Sequence, residues 1–159
     1  MKAVRVFVCD YQPIVLEGLA RVLDASPDFE LAGTALTVEE ALASLPDLAP
    51  DLILVCDEPG APLPPHLTAE FRRSTPGSRL VLWSDALDSD GTYLELGFNA
   101  VLDKRRPVNE LLECLRAVAQ GSLWIDGHSA TPNSFKRRSP PRLTRRERDI
   151  VRLVAEGLK

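Results

Sequence analysis

Apolar positions along the chain fall into short blocks separated by polar, turn-forming stretches. Four blocks are rich in β-branched and aliphatic residues: AVRVFVC (3–9), DLILVC (51–56), RLVLWS (79–84) and AVLDK (100–104); FELAGTAL (29–36) is a weaker fifth. Each has strand length, and three are apolar almost throughout, which burial on both faces of a parallel sheet requires. Between them the period changes to that of a helix. Val15, Leu19, Val22 and Leu23 share one face after Pro13. Thr37 and Glu40 form a capping box that opens a helix with Val38, Ala41, Leu42 and Leu45 inward. Leu111, Leu112, Leu115 and Val118 make another face after Pro107.

This β-α alternation predicts an α/β domain with a doubly wound, five-stranded parallel sheet over residues 1–121. Residues 127–142 are polar, with Pro, Ser and Gly and no period, and the stretch 122–142 reads as a linker. In 143–159, Thr144 and Glu147 form a second capping box, and Ile150, Leu153, Val154 and Leu158 give one apolar face, so one helix is expected there.

Composition narrows the classes. With 159 residues and 45% apolar content, the chain can bury one domain-sized core plus an appendage. Its apolar runs fall far short of the ~20 residues a bilayer crossing needs, and the start lacks a secretory pattern, so a cytoplasmic protein without membrane contact is expected. Cys9, Cys56 and Cys114 have no metal-type spacing and read as buried thiols, with no disulfide expected between Cys9 and Cys56. The net charge of −4 conceals a division: residues 1–135 carry 10 basic and 20 acidic side chains, a net of −10, whereas 136–159 carry 9 and 3, a net of +6. A basic block of this kind is either a solvated linker or the footprint of a segment that works near nucleic acid.

Ligands of doubly wound sheets collect at the carboxyl ends of the strands. The residues there are Asp10, Cys56, Asp57, Ser84 and Lys104. Trp83, within a strand, reads as core, and the isolated His66 and His128 as solvated.

A strand-end acid followed by x-Q-P, a Ser after the fourth strand and a Lys after the fifth resemble the receiver domain of bacterial two-component response regulators. The stretches VRVFVCDYQPIVLEGLARVL, GFNAVLDKRRPVNELLECLRAVAQGSLWID and LTRRERDIVRLVAEGLK resemble the NarL subfamily, whose receiver precedes a linker and a LuxR-type helix-turn-helix. The resemblance implies a sheet order of 2-1-3-4-5. It also implies a pocket in which an acidic pair holds Mg²⁺, an Asp accepts a phosphoryl group, and a hydroxyl and an ammonium take up its charge.

Position by position, Asp10 matches the first acid, but Tyr11 stands where the second belongs. Cys56 occupies the acceptor position with Asp57 one place late, in a loop one residue shorter than usual. Ser84 and Lys104 match, and Val101 takes the aromatic switch position. By strand alternation, Asp57 is expected to point away from a pocket that Cys56 faces. Asp10 and Lys104 are expected to pair with each other, and no metal or cofactor is expected.

The function implied is the N-terminal portion of a transcriptional response regulator, not an enzyme. Its degenerate phosphorylation pocket (Asp10, Tyr11, Cys56, Asp57, Ser84, Lys104) would leave a phosphorylation-independent signalling and dimerisation module. The expected partners are a second copy of the chain, DNA through the C-terminal domain of a longer protein, and a small molecule or protein at the pocket. The alternatives are a conventional phospho-receiver using Asp57 with Mg²⁺, and an adaptor that binds a partner protein without DNA.

Overall fold

The strands anticipated from the apolar blocks form at β1 (Val4–Cys9), β2 (Phe29–Ala35), β3 (Leu52–Cys56), β4 (Arg79–Ser84) and β5 (Ala100–Asp103). They lie in the order β2-β1-β3-β4-β5, every neighbouring pair parallel, as the resemblance implied. The structure, a computed structural model, describes residues 2–58, 61, 63–85, 92–125 and 128–130. Within them the connections contain helices α1 (Pro13–Asp24), α2 (Val38–Leu48), α3 (Pro65–Ser74), the single turn α4 (Thr92–Glu95) and α5 (Val108–Ala119).

Side-chain alternation divides the core in two. Val6, Val8, Leu52, Leu54, Val81, Ala100 and Leu102 face α1 and α5. Phe7, Cys9, Ile53, Val55, Leu80, Leu82 and Val101 face the other way, packing with Ala41 and Leu45 of α2 and Phe71 of α3. Because every central strand is buried on both sides, none can slip by one residue without moving an entire set to the wrong layer.

Local signals act where expected. Thr37 Oγ1 accepts the Glu40 N–H at 3.2 Å, and Glu40 reaches back to the Leu36 N–H at 3.0 Å, fixing the start of α2. That helix ends at Ala49 in the left-handed region (φ 42°). Gly97 (φ 97°) makes the turn into β5, and Arg72 clamps it by donating to the Gly97 carbonyl and to Asn99 Oδ1 (2.8 Å).

The sheet is larger than the five strands expected. β6 (Leu123–Ile125) adds to β5 through the pair Ala100↔Trp124, and β7 (His128–Ala130) returns antiparallel to β6. Both lie inside the stretch 122–142 anticipated as linker. Three residues hold too little alternation to read as a strand; Trp124, 6% exposed in the α1/α5 layer, ties β6 down. The rest of that stretch and the helix expected over 143–159, with Thr144, Glu147, Ile150, Leu153, Val154 and Leu158, lie outside the described residues.

A second correction concerns α1. Its buried residues are Leu16, Leu19 and Leu23, with Val15 only partly covered. The stripe therefore starts one residue later than anticipated. No described helix is long and apolar enough to cross a membrane.

Candidate functional site

The register places the strand-end residues. Cys9 lies beside Val55, Cys56 beside Trp83, and Ser84 beside Asp103. Continuing the alternation, Asp10, Cys56, Trp83 and Lys104 fall on the α1/α5 side, whereas Asp57 and Ser84 fall on the α2/α3 side. The site is two small groups back to back across the edge of the sheet.

On the first side, Lys104 Nζ donates to Asp10 Oδ2 at 2.9 Å, with the two side chains 11% and 0% exposed. Asp10 Oδ1 accepts the Gln12 N–H at 2.7 Å. The ammonium also lies 5.5 Å from the ring centroids of both Tyr11 and Trp83. Burial, and then the adjacent Asp10 carboxylate, push the Cys56 thiol well above its ordinary value. Burial pulls Lys104 downward, but the Cys56 sulfur and Asp10 outweigh it, and the net direction is upward. Since that thiol is neutral at pH 7, Asp10 is the partner that keeps the ammonium charged.

On the second side, Asp57 is buried, 7% exposed, and accepts a hydrogen bond from Ser84 Oγ at 2.8 Å. Burial raises its carboxyl above the ordinary range, opposed by the Ser84 hydroxyl and by Lys104. Asp57 thus lies away from the face of Cys56, as alternation requires, but it is buried rather than turned out to solvent. Ser84 occupies that same face and keeps Asp57 inside. Val101 is buried in the same layer, 8% exposed.

These residues do not fit a Mg²⁺ ion, which prefers oxygen ligands in octahedral array. Both oxygens of Asp10 already accept hydrogen bonds, Tyr11 offers a phenol that accepts from Gln12 Nε2 (2.8 Å), and Cys56 offers a soft, protonated sulfur. Among the described residues, no cluster of three His, Cys, Asp or Glu side chains is arranged to hold a metal.

Sequence reasoning missed two participants. Gln12 donates its backbone N–H to Asp10 of the ion pair and its side-chain amide to the adjoining Tyr11, local contacts that nothing in its residue type announces. Trp83 was read as core; it does pack there, yet its ring also lies against the ammonium. Its position two residues beyond Val81 was the available signal, since that parity puts it on the face of Cys56. His66 is exposed, and Cys9, Cys56 and Cys114 are free thiols.

No protein-family model matches the chain. Curated relatives match nearly all of it. The transcriptional regulatory protein LiaR of Bacillus subtilis is 28% identical over 97% of this chain and 77% of its own length. The nitrate/nitrite response regulator protein NarL of Escherichia coli is 27% identical over 96% and 76%. Among solved structures, a LuxR-family two-component response regulator from Aurantimonas sp. shares the fold, with a TM-score of 0.69 and 20% identity over 98% of this chain and 97% of that one. The chain thus has the receiver fold, with Asp10, Ser84 and Lys104 at its strand ends, and is similar over nearly its whole length to transcriptional response regulators such as LiaR and NarL.

Proposed function

We propose that this receiver signals without phosphorylation, serving a transcriptional regulator as a dimerisation and ligand-sensing module. One observation carries this reading: the polar groups at the strand ends are already matched to one another. Lys104 pairs with Asp10 and Ser84 with Asp57, so a phosphoryl group would have to break both contacts. The acceptor position holds Cys56, a poor partner for Mg²⁺-assisted acyl phosphate chemistry. Asp57, one residue later and on the opposite face, is displaced by far more than the ~1 Å that such chemistry tolerates.

DNA would be engaged by a C-terminal helix-turn-helix of the full regulator, since direct readout needs an element in the groove. A homodimer through α1 and α5 is the proposed assembly. Of the apolar residues on these two helices, Leu16 is buried in the core and Leu112 packs against it. Ile14, 75% exposed, and Val108, 51% exposed, remain available at the starts of the two helices. Sedimentation showing only monomer at high concentration would remove the dimer from this proposal.

The reading is tested by intact mass after incubation with Mg²⁺ and acetyl phosphate or a beryllofluoride complex. No mass gain is expected in the wild type, and a gain is expected in a Tyr11→Asp, Cys56→Asp double variant. A wild-type phosphoryl gain that disappears in Asp57→Asn would establish the second reading, a working phosphoacceptor at Asp57. That reading is favoured by the Ser84–Asp57 contact, because a hydroxyl beside the acceptor is what phosphoryl transfer uses.

A further inference from the structure

We propose that Tyr11, Trp83 and Asp10 form a cage for the Lys104 ammonium, and that Tyr11 is a positioning residue whose ring takes over the role of holding that ammonium. The inference deepens the phosphorylation-independent reading and rests on it, because it says what keeps the site closed.

The geometry is three-sided. Asp10 Oδ2 is 2.9 Å from Nζ, and the two ring centroids are each 5.5 Å away, inside the ~6 Å over which a ring face attracts a cation. With only 11% of the lysine side chain exposed, the ammonium has lost most of its water. Ring faces attract such a desolvated charge more strongly than an exposed one. Each wall is itself anchored. Gln12 fixes two of them, its backbone N–H donating to Asp10 Oδ1 at 2.7 Å and its side-chain amide to Tyr11 Oη at 2.8 Å. Trp83 is held by the strand pairs Cys56↔Trp83 and Trp83↔Leu102. The lysine backbone is also tied, its N–H donating to the Ser84 carbonyl at 3.0 Å.

Charge balance explains why an aromatic ring suits position 11. Asp10 and Lys104 neutralise each other. A second carboxylate beside them would leave one unmatched negative charge in a buried site and would call for a metal ion. A phenol ring adds attraction for the ammonium without adding a charge. The cage also joins two distant parts of the chain, because Asp10 and Tyr11 lead into α1 at Pro13 and Lys104 leads into α5 at Val108. It therefore sets, without a phosphoryl group, the spacing of the two helix starts that present Ile14 and Val108.

The test reads the amine directly. In the wild type, acylation by N-hydroxysuccinimidyl acetate, mapped by peptide mass, is expected to be at least about tenfold slower at Lys104 than at exposed Lys2, the order expected of an amine held charged and covered. Tyr11→Phe is expected to keep that protection, and Tyr11→Leu to lose about two- to fivefold of it, the equivalent of the ~0.5–1 kcal/mol that a ring face contributes. Equal protection in the Phe and Leu variants would overturn the proposal. A second readout needs no variant: in a carbon–proton correlation spectrum, the Lys104 Hε resonances are expected upfield of those of Lys2 because two ring faces shield them. Their coincidence with Lys2 would equally overturn it. The two proposals fail separately. Phosphorylation at Asp57 with Lys104 still shielded would sink the functional reading alone, whereas a reactive Lys104 in a protein that takes no phosphoryl group would sink the cage alone.

Discussion

Asp10 and Asp57 end neighbouring stretches of the same sheet with the same buried functional group, yet their surroundings differ in kind. Asp10 is matched by a cation, a backbone N–H and two aromatic rings nearby. Asp57 is matched by a neutral hydroxyl, with Lys104 acting only from a distance. A charge inside a protein is tolerated when an opposite charge replaces its water and penalised when only a dipole does. The first side should therefore behave as a lock that fails when either member is removed. The second should behave as a stored penalty that neutralisation relieves.

The largest expected effect comes from removing the cation. Lys104→Met keeps the length and the apolar stem of the side chain but leaves Asp10, 1% exposed, without a counter-charge. A loss of about 3–5 kcal/mol in urea denaturation is expected, the range found when one partner of a buried pair is deleted. A loss below ~1 kcal/mol, the range of solvent-exposed pairs, would show that water replaces the ammonium at Asp10 and that the lock is superficial.

On the other side, Ser84→Ala removes the hydroxyl that Asp57 accepts from. The expected loss is about 1–3 kcal/mol, the cost of leaving a buried acceptor without its partner. The comparison sharpens if the two losses add in the Lys104→Met, Ser84→Ala double variant. The pairs lie on opposite faces and Lys104 reaches the Asp57 carboxylate only through space, so a deviation from additivity of no more than ~0.5 kcal/mol is expected. A larger deviation would mean that Lys104 supports Asp57 as much as Asp10.

How much of this was legible beforehand follows from the range of the interactions. The runs around Val4–Cys9, Leu52–Cys56 and Arg79–Ser84 announced their strands because each is buried on both faces over most of its length and so is apolar almost throughout. The start of α2 was legible because its cap is local, Thr37 to Glu40. Leu16 fell outside the stripe of Val15, Leu19, Val22 and Leu23, and only its packing in one layer with Val8 and Leu54 makes it core. Strand β6 escaped notice because its stability comes from Trp124 meeting a layer built from residues far earlier in the chain. At the site, alternation correctly separated Cys56 from Asp57. It could not say that Ser84 waits on the far face, since that depends on the register Cys56↔Trp83 between two strands. The cage is the least legible feature, because it joins residues 93 positions apart, Tyr11 and Lys104.

The smallest expected effect is also the one that separates the two carboxylates most cleanly, because it reverses sign. Burial holds the Asp57 carboxyl above its ordinary value of 3.8, so the folded protein binds that proton more tightly than the unfolded chain does. Stability contributed by this group is then present at low pH and is lost as pH rises from the ordinary carboxylate range through the raised folded value. At pH 7 an ionisable carboxyl at this buried position is a net burden compared with a neutral side chain of the same shape. Asp57→Asn keeps the shape and leaves Oδ1 to accept from Ser84 while removing the charge. It should therefore raise the thermal midpoint at pH 7, by less than the ~1 kcal/mol floor set for Ser84→Ala, since Ser84 and Lys104 already offset part of the burial cost. The advantage should shrink steadily on acidification and vanish below pH 3.8, where both folded and unfolded chains hold the proton. Asp10→Asn should do the opposite at pH 7, lowering the midpoint, because it takes the counter-charge from a largely buried ammonium. Thermal melts of the two Asn variants between pH 4 and pH 8 decide the matter: shifts of the same sign at pH 7 would mean that the two sides of the site are electrostatically one.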